Sequence, residues 1–395
     1  MTLKTIRDFD PKGKRILLRV DFNVPTDDAG NIQDDSRITK ALPTINYLLE
    51  KGGRLIIMSH LGRPDGKVVE NLRLNMVATH LSQLLNKPVK KMNECIGAEV
   101  EKEVSIMQDG EIIMLENTRF YPGEETNNVE FTKQLAKLGE VFVNDGFGVS
   151  HRAHASAFGV GTILPAYSGL LVEKEVTALE PLITNPNQPF TVIVGGAKIK
   201  DKIPLIEQFI PKAQHILIGG GLANTFLAAQ GKQVGQSLYE QDKLDLARSI
   251  LEKAMTPDQI ILPTDVITAT EISNTAATQT VSVDAVSSTS KILDIGPDTI
   301  DKFKSIIADS QTILWNGPLG LTEFAPFQNG TRAAAQAVSE IHSTCFSVIG
   351  GGDTSEVLKT LGFPDSSFGH VSTGGGASLE FLSGKKLPGI EVLYR

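Results

Sequence analysis

The sequence predicts an α/β protein made of two doubly wound, Rossmann-like parallel-sheet domains that are joined by a helix. Short apolar runs alternate with helical patterns along the chain, and several runs are apolar at consecutive positions. Consecutive apolar residues are typical of strands covered on both faces, as in parallel sheets. The length of 395 residues exceeds the roughly 250–300 at which a single core stops growing, so two domains are expected.

The predicted strands are apolar runs that end in Gly, Asn, Asp or His. They cover 15–20, 54–59, 111–116 and 141–144 in the first half, and 190–195, 215–220, 259–263, 312–317 and 346–351 in the second. Helical spacing covers 39–51, 72–85, 200–210, 331–341 and 354–361. Because strands and helices alternate, the sheets should be parallel. Residues 264–290, rich in Thr, Ser, Ala and Val, indicate β-strand or irregular structure.

The boundary between the two halves is predicted near 168–189. A charged amphipathic stretch there leads into a segment rich in Pro and Asn, and a new apolar run starts at Phe190. This pattern is typical of a helix that runs between domains and ends in a linker. We therefore expect a first domain over 1–170, an interdomain helix and linker over 171–189, and a second domain over 190–377.

The composition excludes several classes of function. The 38 basic and 46 acidic residues give a net charge of −8, so neither nucleic acid nor an anionic membrane is an expected partner. The 2 cysteines cannot form a disulfide framework or a Cys-rich metal site. The first residues lack the apolar core of a signal peptide, and no apolar run approaches the length of a membrane span. A cytoplasmic protein is expected.

Polar side chains follow the predicted strands of the first half, where ligands bind in open parallel sheets. They are Asp21, Asn23, His60, Arg63, Arg119, His151, Arg152 and His154, with Arg37 in a polar loop before the first helix. Any one arginine could be an ordinary surface charge, but arginines at successive strand ends predict a pocket for phosphate or carboxylate. His151 and His154 lack the further ligands that a metal site needs.

Glycine-rich loops follow the predicted strands of the second half. They begin at Gly195, Gly219, Asn316, Gly350 and Ser372. Glycine allows close approach of the backbone to a ligand, and free N–H groups at a helix start bind phosphate. Tight turns without a ligand are the alternative interpretation, but the recurrence of these loops favours a nucleotide site.

Lys198, Lys200 and Lys202 follow one glycine pair, and Asp353 follows a glycine triplet. A lysine near transferring phosphates and a carboxylate for hydrated Mg²⁺ are parts that a phosphoryl transferase needs. No GxxxxGK[ST], GxGxxG or GxSxG pattern accompanies the predicted strands, which argues against a P-loop enzyme, a dinucleotide-binding enzyme and a serine hydrolase.

Blocks along the whole chain resemble the phosphoglycerate kinase family. They are RVDFNVP (19–25), MSHLGRP (58–64), LENTRF (115–120), GFGVSHRAHAS (146–156), GGAKIKDKI (195–203), GGGLANTF (219–226), WNGPLGLTEF (315–324), GGGDT (350–354) and STGGGASLEFL (372–382). The resemblance implies a glycolytic enzyme, usually monomeric, whose two domains face a cleft. The first would bind 3-phosphoglycerate or 1,3-bisphosphoglycerate and the second MgADP or MgATP, and the tail 378–395 would pack back on the first.

The resemblance also implies roles for individual residues. The glycerate-phosphate site would comprise Asp21, Asn23, Arg37, His60, Arg63, Arg119 and Arg152. The nucleotide site would comprise Gly196, Ala197, Lys202, Gly221, Asn316, Glu323, Gly351, Gly352, Asp353 and Thr354, with Glu323 on the ribose and Asp353 on Mg²⁺. Arg37, Lys198, Gly352 and Gly375 would surround the phosphoryl group, which moves in line after hinge closure.

Small departures from the family pattern remove no charged group that the chemistry needs, although Ser383 and Lys386 stand where acidic residues are common. Thr118 stands where an aliphatic residue is frequent, Thr322 where Phe is common, and Gly146 interrupts a DAFG pattern. Three other readings compete with a phosphoglycerate kinase: a nicotinamide dehydrogenase, a catalytically inactive binding protein, and a different acyl-phosphate kinase. The absent GxGxxG, the intact charged residues, and the GGAKIKDKI and HLGRP blocks argue against them in that order.

Overall fold

The computed structural model describes residues 2–27, 30–200 and 202–394, with Asp353 as backbone alone. Its contacts divide the chain into two units. The first unit extends to Thr177 and resumes at Lys385, and the second spans Ala178–Gly384. No helix of the described part is both long and apolar enough to cross a membrane.

The first unit is built on a parallel sheet of six strands. They are β1 (Arg15–Arg19), β2 (Arg54–Met58), β3 (Lys90–Lys91), β4 (Ile112–Met114), β5 (Val141–Asn144) and β6 (Ala166–Ser168), in the order β3-β4-β2-β1-β5-β6. The helices are α1 (Ser36–Glu50), α2 (Asn75–Leu85), α3 (Ala98–Ser105), α4 (Pro122–Glu125), α5 (Val129–Ala136), α6 (Val160–Ile163) and α7 (Leu170–Thr184). Helix α7 contains the boundary between the units.

The second unit has a parallel sheet of six strands and a smaller antiparallel sheet. Its strands are β7 (Phe190–Val194), β8 (His215–Ile218), β9 (Ile260–Ile261), β10 (Asp265–Ala269), β11 (Gln279–Ser282), β12 (Lys291–Ile295), β13 (Thr312–Asn316), β14 (Phe346–Ile349) and β15 (His370–Val371). The orders are β15-β14-β13-β7-β8-β9 and β11-β10-β12. The helices are α8 (Ile203–Phe209), α9 (Gly220–Ala229), α10 (Leu244–Glu252), α11 (Pro297–Ala308), α12 (Asn329–Glu340), α13 (Gly352–Thr360) and α14 (Gly376–Leu382).

The central strands explain why both sheets are parallel. β7 is buried at every position and β1 at all but its first, so both faces of each strand need cover. Helix α1 supplies part of that cover with Ile38, Ala41, Ile45 and Leu48, whose three- and four-residue spacing places them on one face. Burying each large aliphatic side chain contributes roughly 1.5–3 kcal/mol. The sheet edge that carries the loops is thereby held on a rigid core.

The C-terminal residues pack within the first unit. Helix α15 (Pro388–Glu391) lies against the loop after β5, where Asn144 donates to the Gly389 carbonyl at 2.8 Å and the Gly389 amide donates to the Ser150 carbonyl at 2.9 Å. The backbone amide of Lys4 donates to the carbonyl of Leu393 at 3.1 Å. The described C-terminal residues therefore include a helix beside the carboxyl end of β5.

The structure differs from the sequence prediction at Arg37 and in short strands, and agrees with it over residues 264–290. Arg37 is not in a loop, because α1 begins at Ser36 and Arg37 is in its first turn. Residues 264–290, predicted as β-strand or irregular structure, contain the antiparallel strands β10 and β11 with irregular chain around them, as that prediction allows. The short edge strands β3, β6 and β15 were not predicted, because two or three residues give no periodic pattern.

Candidate functional site

The first unit gathers cationic side chains at the carboxyl end of its sheet. Asp21 and Asn23 follow β1, and His60 and Arg63 follow β2. Arg119 lies in a single 3₁₀ turn, Thr118–Phe120, after β4, and Arg152 follows a similar turn after β5. Because parallel strands end at one edge, residues far apart in sequence meet there.

Asp21 and Arg37 form an ion pair at this edge. Arg37 Nη1 donates to Asp21 Oδ2 at 2.8 Å, and the other carboxylate oxygen of Asp21 lies 3.9 Å from His60 Nδ1. The Arg37 side chain stays exposed while His60 is buried. The pair thus leaves a guanidinium at the mouth of the pocket and a histidine at its floor.

The loop after β2 is held from both sides. Asn23 Oδ1 accepts a hydrogen bond from the Gly62 amide at 2.8 Å, and Arg119 Nη1 donates to the Gly62 carbonyl at 2.9 Å. Arg63, the next residue, is exposed, as is Arg152, whose Nε lies 3.2 Å from His151 Nε2. In the described part of the chain, no ion pair joins Arg63 to the other predicted residues, so its role stays a prediction.

Arg19 is a cation of this pocket that sequence reasoning missed. It is the last residue of β1, is 1% exposed, and its Nη2 lies 3.0 Å from His60 Nδ1. In the sequence it lies inside the apolar run RILLRV, which predicts a strand and gives no sign of a binding residue. An arginine inside an apolar run is itself the feature that could have pointed to this site, because arginine is rarely buried without a partner.

Burial and neighbouring cations keep two histidines of the pocket neutral. Desolvation, reinforced by Arg19 and Arg119, lowers the pKa of His60 well below its ordinary value. The same causes lower the pKa of His154 to about 4. The imidazoles of His60 and His154 are uncharged, and Arg19 and Arg119 beside them are positive. A bound anion would therefore stabilise this pocket.

Unused donors support this interpretation. Within the described residues, the Nε atoms of Arg19 and Arg119 are buried and have no hydrogen-bond partner. Arg119 Nε does lie 3.2 Å from Glu125 Oε1, close enough for an ion pair. Because buried donors are nearly always satisfied in folded proteins, the Nε–H of Arg19 fits a bound anion, whereas that of Arg119 already faces the Glu125 carboxylate.

The second unit contains a cavity of about 650 Å³. It is lined by the predicted residues Gly196, Ala197, Gly221 and Glu323, and also by Leu238, Ile272, Lys291–Ile295, Pro318 and Val357. The volume is in the usual range for a small-molecule site, and the mixture of apolar walls and glycine backbone suits a flat base next to phosphates.

Sequence reasoning missed the wall of this cavity that comes from the antiparallel sheet and from residues 236–238. Leu238 is 67% exposed and Ile272 is 42% exposed, which is unusual for large aliphatic side chains. Their exposure is visible only in the folded chain. In the sequence they lie in segments without a clear period.

A hydrogen-bonded chain links the strand ends beside the cavity. Lys202 Nζ donates to Asn316 Oδ1, and Asn316 Nδ2 donates to the Gly350 carbonyl at 2.6 Å. Thr354 Oγ1 accepts from the Gly317 amide at 2.8 Å. The predicted residues Lys202, Asn316 and Thr354 are therefore brought to one edge.

Two glycines allow the backbone to approach itself here. A Cβ on Gly195 would lie 2.0 Å from the Pro318 carbonyl oxygen, and one on Gly317 would lie 2.4 Å from the Gly195 carbonyl oxygen. Gly317 also has φ +96°, which side chains with a Cβ rarely adopt. The loops that contain Gly195 and Gly317 can approach each other this closely only because both residues lack a Cβ.

Other predicted residues lie outside the cavity wall. Lys198 is exposed on the loop before α8, Gly351 and Gly352 begin α13, and Gly375 precedes α14. The side chain predicted to bind Mg²⁺, that of Asp353, lies outside the described residues. Among the described residues no group of three or more His, Cys, Asp or Glu side chains could hold a metal ion.

Comparison with known proteins decides the family. A model of the family "Phosphoglycerate kinase" matches residues 6–385. A phosphoglycerate kinase of Dictyoglomus turgidum is 50% identical over 393 residues, which are 99% of this chain and 98% of the relative. The chain belongs to the phosphoglycerate kinase family. The resemblance expected from the sequence is confirmed.

Solved phosphoglycerate kinase structures share the fold. The phosphoglycerate kinase of Coxiella burnetii has a TM-score of 0.92 at 41% identity and covers 100% of this chain and 99% of its own. That of Pyrococcus horikoshii has a TM-score of 0.83 at 31% identity, with 99% and 98% covered. The prediction of two parallel-sheet α/β domains is confirmed for this member of the phosphoglycerate kinase family.

Proposed function

We propose that this chain catalyses reversible phosphoryl transfer from 1,3-bisphosphoglycerate to MgADP, giving 3-phosphoglycerate and MgATP, as a step of glycolysis and gluconeogenesis. The observation that carries the proposal is the pocket of the first unit. There His60 and His154 are buried and neutral beside Arg19 and Arg119, and the buried Nε of Arg19 has no hydrogen-bond partner in the described chain. A pocket of this kind favours a phosphorylated carboxylic acid.

The first unit is the proposed glycerate domain. Arg37, Arg63 and Arg152 are exposed at the rim and can reach a ligand, whereas His60 and Arg119 lie at the buried floor. Asp21 and Asn23 orient these groups, since they hold Arg37 and the Gly62 amide. Asp21 is proposed to accept a hydrogen bond from the hydroxyl of the glycerate, because a carboxylate accepts hydrogen bonds.

The second unit is the proposed nucleotide domain. The cavity beside Gly196, Ala197 and Gly221 is proposed to take the adenine, with Glu323 at its rim for the ribose hydroxyls. The phosphates are proposed to lie near Lys202, Asn316, Thr354 and the amides of Gly351 and Gly352 at the start of α13. Helix starts bind phosphate because their N–H groups are free.

Magnesium is proposed to enter as part of the nucleotide substrate. Mg²⁺ in such sites usually keeps several waters and takes one or two carboxylates together with substrate phosphates. Asp353, in the first turn of α13, is the carboxylate proposed for it. One carboxylate is enough for an ion that arrives already bound to the phosphate oxygens of the nucleotide.

The proposed chemistry needs no general base. In the direction that consumes ATP, the nucleophile is the carboxylate of 3-phosphoglycerate, whose ordinary pKa near 4 leaves it ionised at neutral pH. In the direction that forms ATP, the nucleophile is a terminal phosphate oxygen of ADP. Arg37, Lys198 and the backbone of Gly352 and Gly375 are proposed to hold the oxygens of the transferring group in line, after a hinge movement brings the two substrates together.

The direct experiment is a coupled assay of ADP formation from MgATP, with and without 3-phosphoglycerate and with excess chelator. We expect turnover that depends strictly on 3-phosphoglycerate and on the metal. Binding of nucleotide without any turnover in the intact protein would contradict the proposal and favour a binding function. Titration with NAD provides a second arm, because saturable binding would favour a dehydrogenase.

The remaining features of the proposal concern the state of the protein in the cell. We propose a monomer in the cytoplasm that binds only small-molecule substrates. Sedimentation at several concentrations tests the monomer. Small-angle scattering with both substrates present tests the hinge, and a radius of gyration unchanged from the free protein would count against it.

A further inference from the structure

A buried carboxylate lies behind the cationic pocket of the first unit. The Glu124 side chain, on the short helix α4, is 0% exposed. Its Oε1 lies 3.9 Å from Arg19 Nη1 and 4.0 Å from His154 Nδ1, beyond hydrogen-bond distance of both. A buried carboxylate that does not bond its cation directly needs other partners, because burying an unpaired charge is costly.

Two hydroxyl groups fill the space between Glu124 and Arg19. Arg19 Nη1 donates to Ser156 Oγ at 2.9 Å and to Thr118 Oγ1 at 3.3 Å. Both hydroxyls in turn donate to Glu124 Oε1, at 2.5 Å from Ser156 and 3.3 Å from Thr118. The Ser156 amide donates to Glu124 Oε2 at 3.0 Å.

The chemistry of the groups fixes the direction of every proton in this network. A guanidinium only donates and a carboxylate only accepts. Each hydroxyl must therefore accept from Arg19 and turn its own hydrogen toward Glu124. No other arrangement satisfies the guanidinium, the two hydroxyls and the carboxylate at once.

The same reasoning determines the tautomer of His60. Arg19 Nη2 lies 3.0 Å from His60 Nδ1, and since Arg19 can only donate, Nδ1 is the acceptor. A neutral imidazole that accepts at Nδ1 carries its proton on Nε2. His60 can then donate one hydrogen bond to an anion even though it is uncharged.

We propose that Glu124 is a positioning residue: through the hydroxyls of Ser156 and Thr118 it fixes Arg19, and through Arg19 it holds His60 with its proton on Nε2. The proposal rests on the proposed function, since it concerns the site for the phosphorylated acid. Asp21 Oδ1, 3.9 Å from His60 Nδ1, is the competing acceptor that would favour the other tautomer if Arg19 moved.

Thr118 is one of the two residues that connect Arg19 to Glu124. It occupies a position where the family often has an aliphatic residue, and its hydroxyl is one of the two links from Arg19 to Glu124. Ser156 makes shorter contacts on both sides. The two links should therefore contribute unequally.

The test compares three substitutions in the full-length protein with a matched control. Glu124→Gln keeps the volume but places an amide donor opposite the two hydroxyls. Ser156→Ala and Thr118→Val each remove one link, and Glu130→Gln changes an exposed glutamate on the neighbouring helix α5. We expect KM for 3-phosphoglycerate to rise about tenfold in Glu124→Gln, less in Ser156→Ala and least in Thr118→Val, with KM for MgATP unchanged.

A spectroscopic measurement separates positioning from a merely structural loss. The ring ¹⁵N resonances of the 7 histidines are recorded on uniformly labelled protein, and His60→Gln identifies the signals of His60. We expect the Nε2–H tautomer in the wild type and in Glu130→Gln, and a measurable share of the Nδ1–H tautomer in Glu124→Gln. Where Glu124→Gln does not fold, Ser156→Ala and Thr118→Val carry the test.

Two results would overturn the proposal. One is a KM for 3-phosphoglycerate within about twofold of wild type in every variant that folds. The other is an Nδ1–H tautomer for His60 in the wild type. A wild-type protein without any 3-phosphoglycerate-dependent turnover would instead contradict the proposed function, so the two failures are distinguishable.

Discussion

The proposed binding sites of the two units are built in different ways. The first unit uses side chains: Arg19, Arg119 and His60 are buried together and are held by other side chains. The second unit uses main chain and shape, with glycine loops around a cavity of about 650 Å³. Arginine side chains bind an anion through their charge and their N–H groups. A glycine loop binds a ligand through backbone N–H groups that can come close to it.

The difference predicts where each site is vulnerable. In the first unit, removing one charged side chain at the rim of the pocket should lower activity and leave the fold largely intact. In the second unit the addition of a single methyl group to a loop should damage the fold. The following substitutions test these two expectations.

Arg37→Ala and Lys198→Ala are expected to have the largest effect. Each removes an exposed cation proposed to stabilise the transferring phosphoryl group, and losing one such donor typically lowers kcat by about 10²–10³. Steady-state kinetics in the coupled assay measure the effect. Arg54→Ala and Lys253→Ala are matched controls, because these residues form ion pairs at 2.8 and 2.5 Å, with Asp109 and Glu207. Rates within about tenfold of wild type would refute the assignment.

Acid should weaken the first unit through its neutral histidines. The pKa of His154 is about 4 in the folded chain and near 6.5 when unfolded, so between these values the unfolded chain binds more protons. The stabilisation is complete above pH 6.5 and is lost as the pH falls toward 4, by up to about 3 kcal/mol. His60, with its pKa lowered in the same direction, adds to the trend.

Hydrogen exchange of peptides from the first unit, corrected for the intrinsic pH dependence, measures this loss. His154→Gln should flatten the profile over the same pH range. His342→Gln, at an exposed histidine of the second unit, should leave it unchanged. Equal slopes in the wild type and His154→Gln would show that the buried imidazole is not responsible.

Gly317→Ala tests the expectation for the second unit. Its Cβ would lie 2.4 Å from the Gly195 carbonyl oxygen, at a φ of +96°. Backbone strain and overpacking together should cost about 2–3 kcal/mol. Trp315, the single tryptophan, is buried in this unit and donates to the Gly317 carbonyl at 2.8 Å, so its fluorescence in a urea titration reports on the unit selectively.

Gly231→Ala is the matched control for this prediction. Gly231 has φ +81°, but a Cβ there would meet nothing within 4 Å. It therefore carries the backbone strain without the contact. Equal destabilisation by the two substitutions would mean that the interlocked loops are not under steric constraint.

The sequence predicted those parts of the site that stand at strand ends. Asp21, His60 and Arg119 follow buried runs, and the parallel topology brings them to one edge without further information. Glycine triplets identified the loops of the second unit for the same reason. A polar or glycine residue after an apolar run is a local signal.

Residues inside the elements could not be predicted in this way. Arg19 lies within an apolar run, and Glu124 lies on a four-residue helix that has no periodic pattern. Their relation exists only because Ser156 and Thr118 come between them in space. The cavity wall formed by Leu238 and β12 depends likewise on how an antiparallel insertion packs, which single-sequence patterns do not specify.

Glu323→Gln is expected to have the smallest effect and locates the proposed ribose position. Glu323 lines the cavity but is exposed, so a hydrogen bond to a ribose hydroxyl should contribute only about 1 kcal/mol, or roughly fivefold in KM for MgATP. Wild-type protein should lose a similar factor with 2′-deoxy- or 3′-deoxy-ATP, and Glu323→Gln should lose nothing further with the analogue that lacks the bonded hydroxyl. Glu340→Gln, exposed at the end of α12, is the control. Full additivity of the two losses would place the ribose elsewhere, and the cavity would then recognise the base alone.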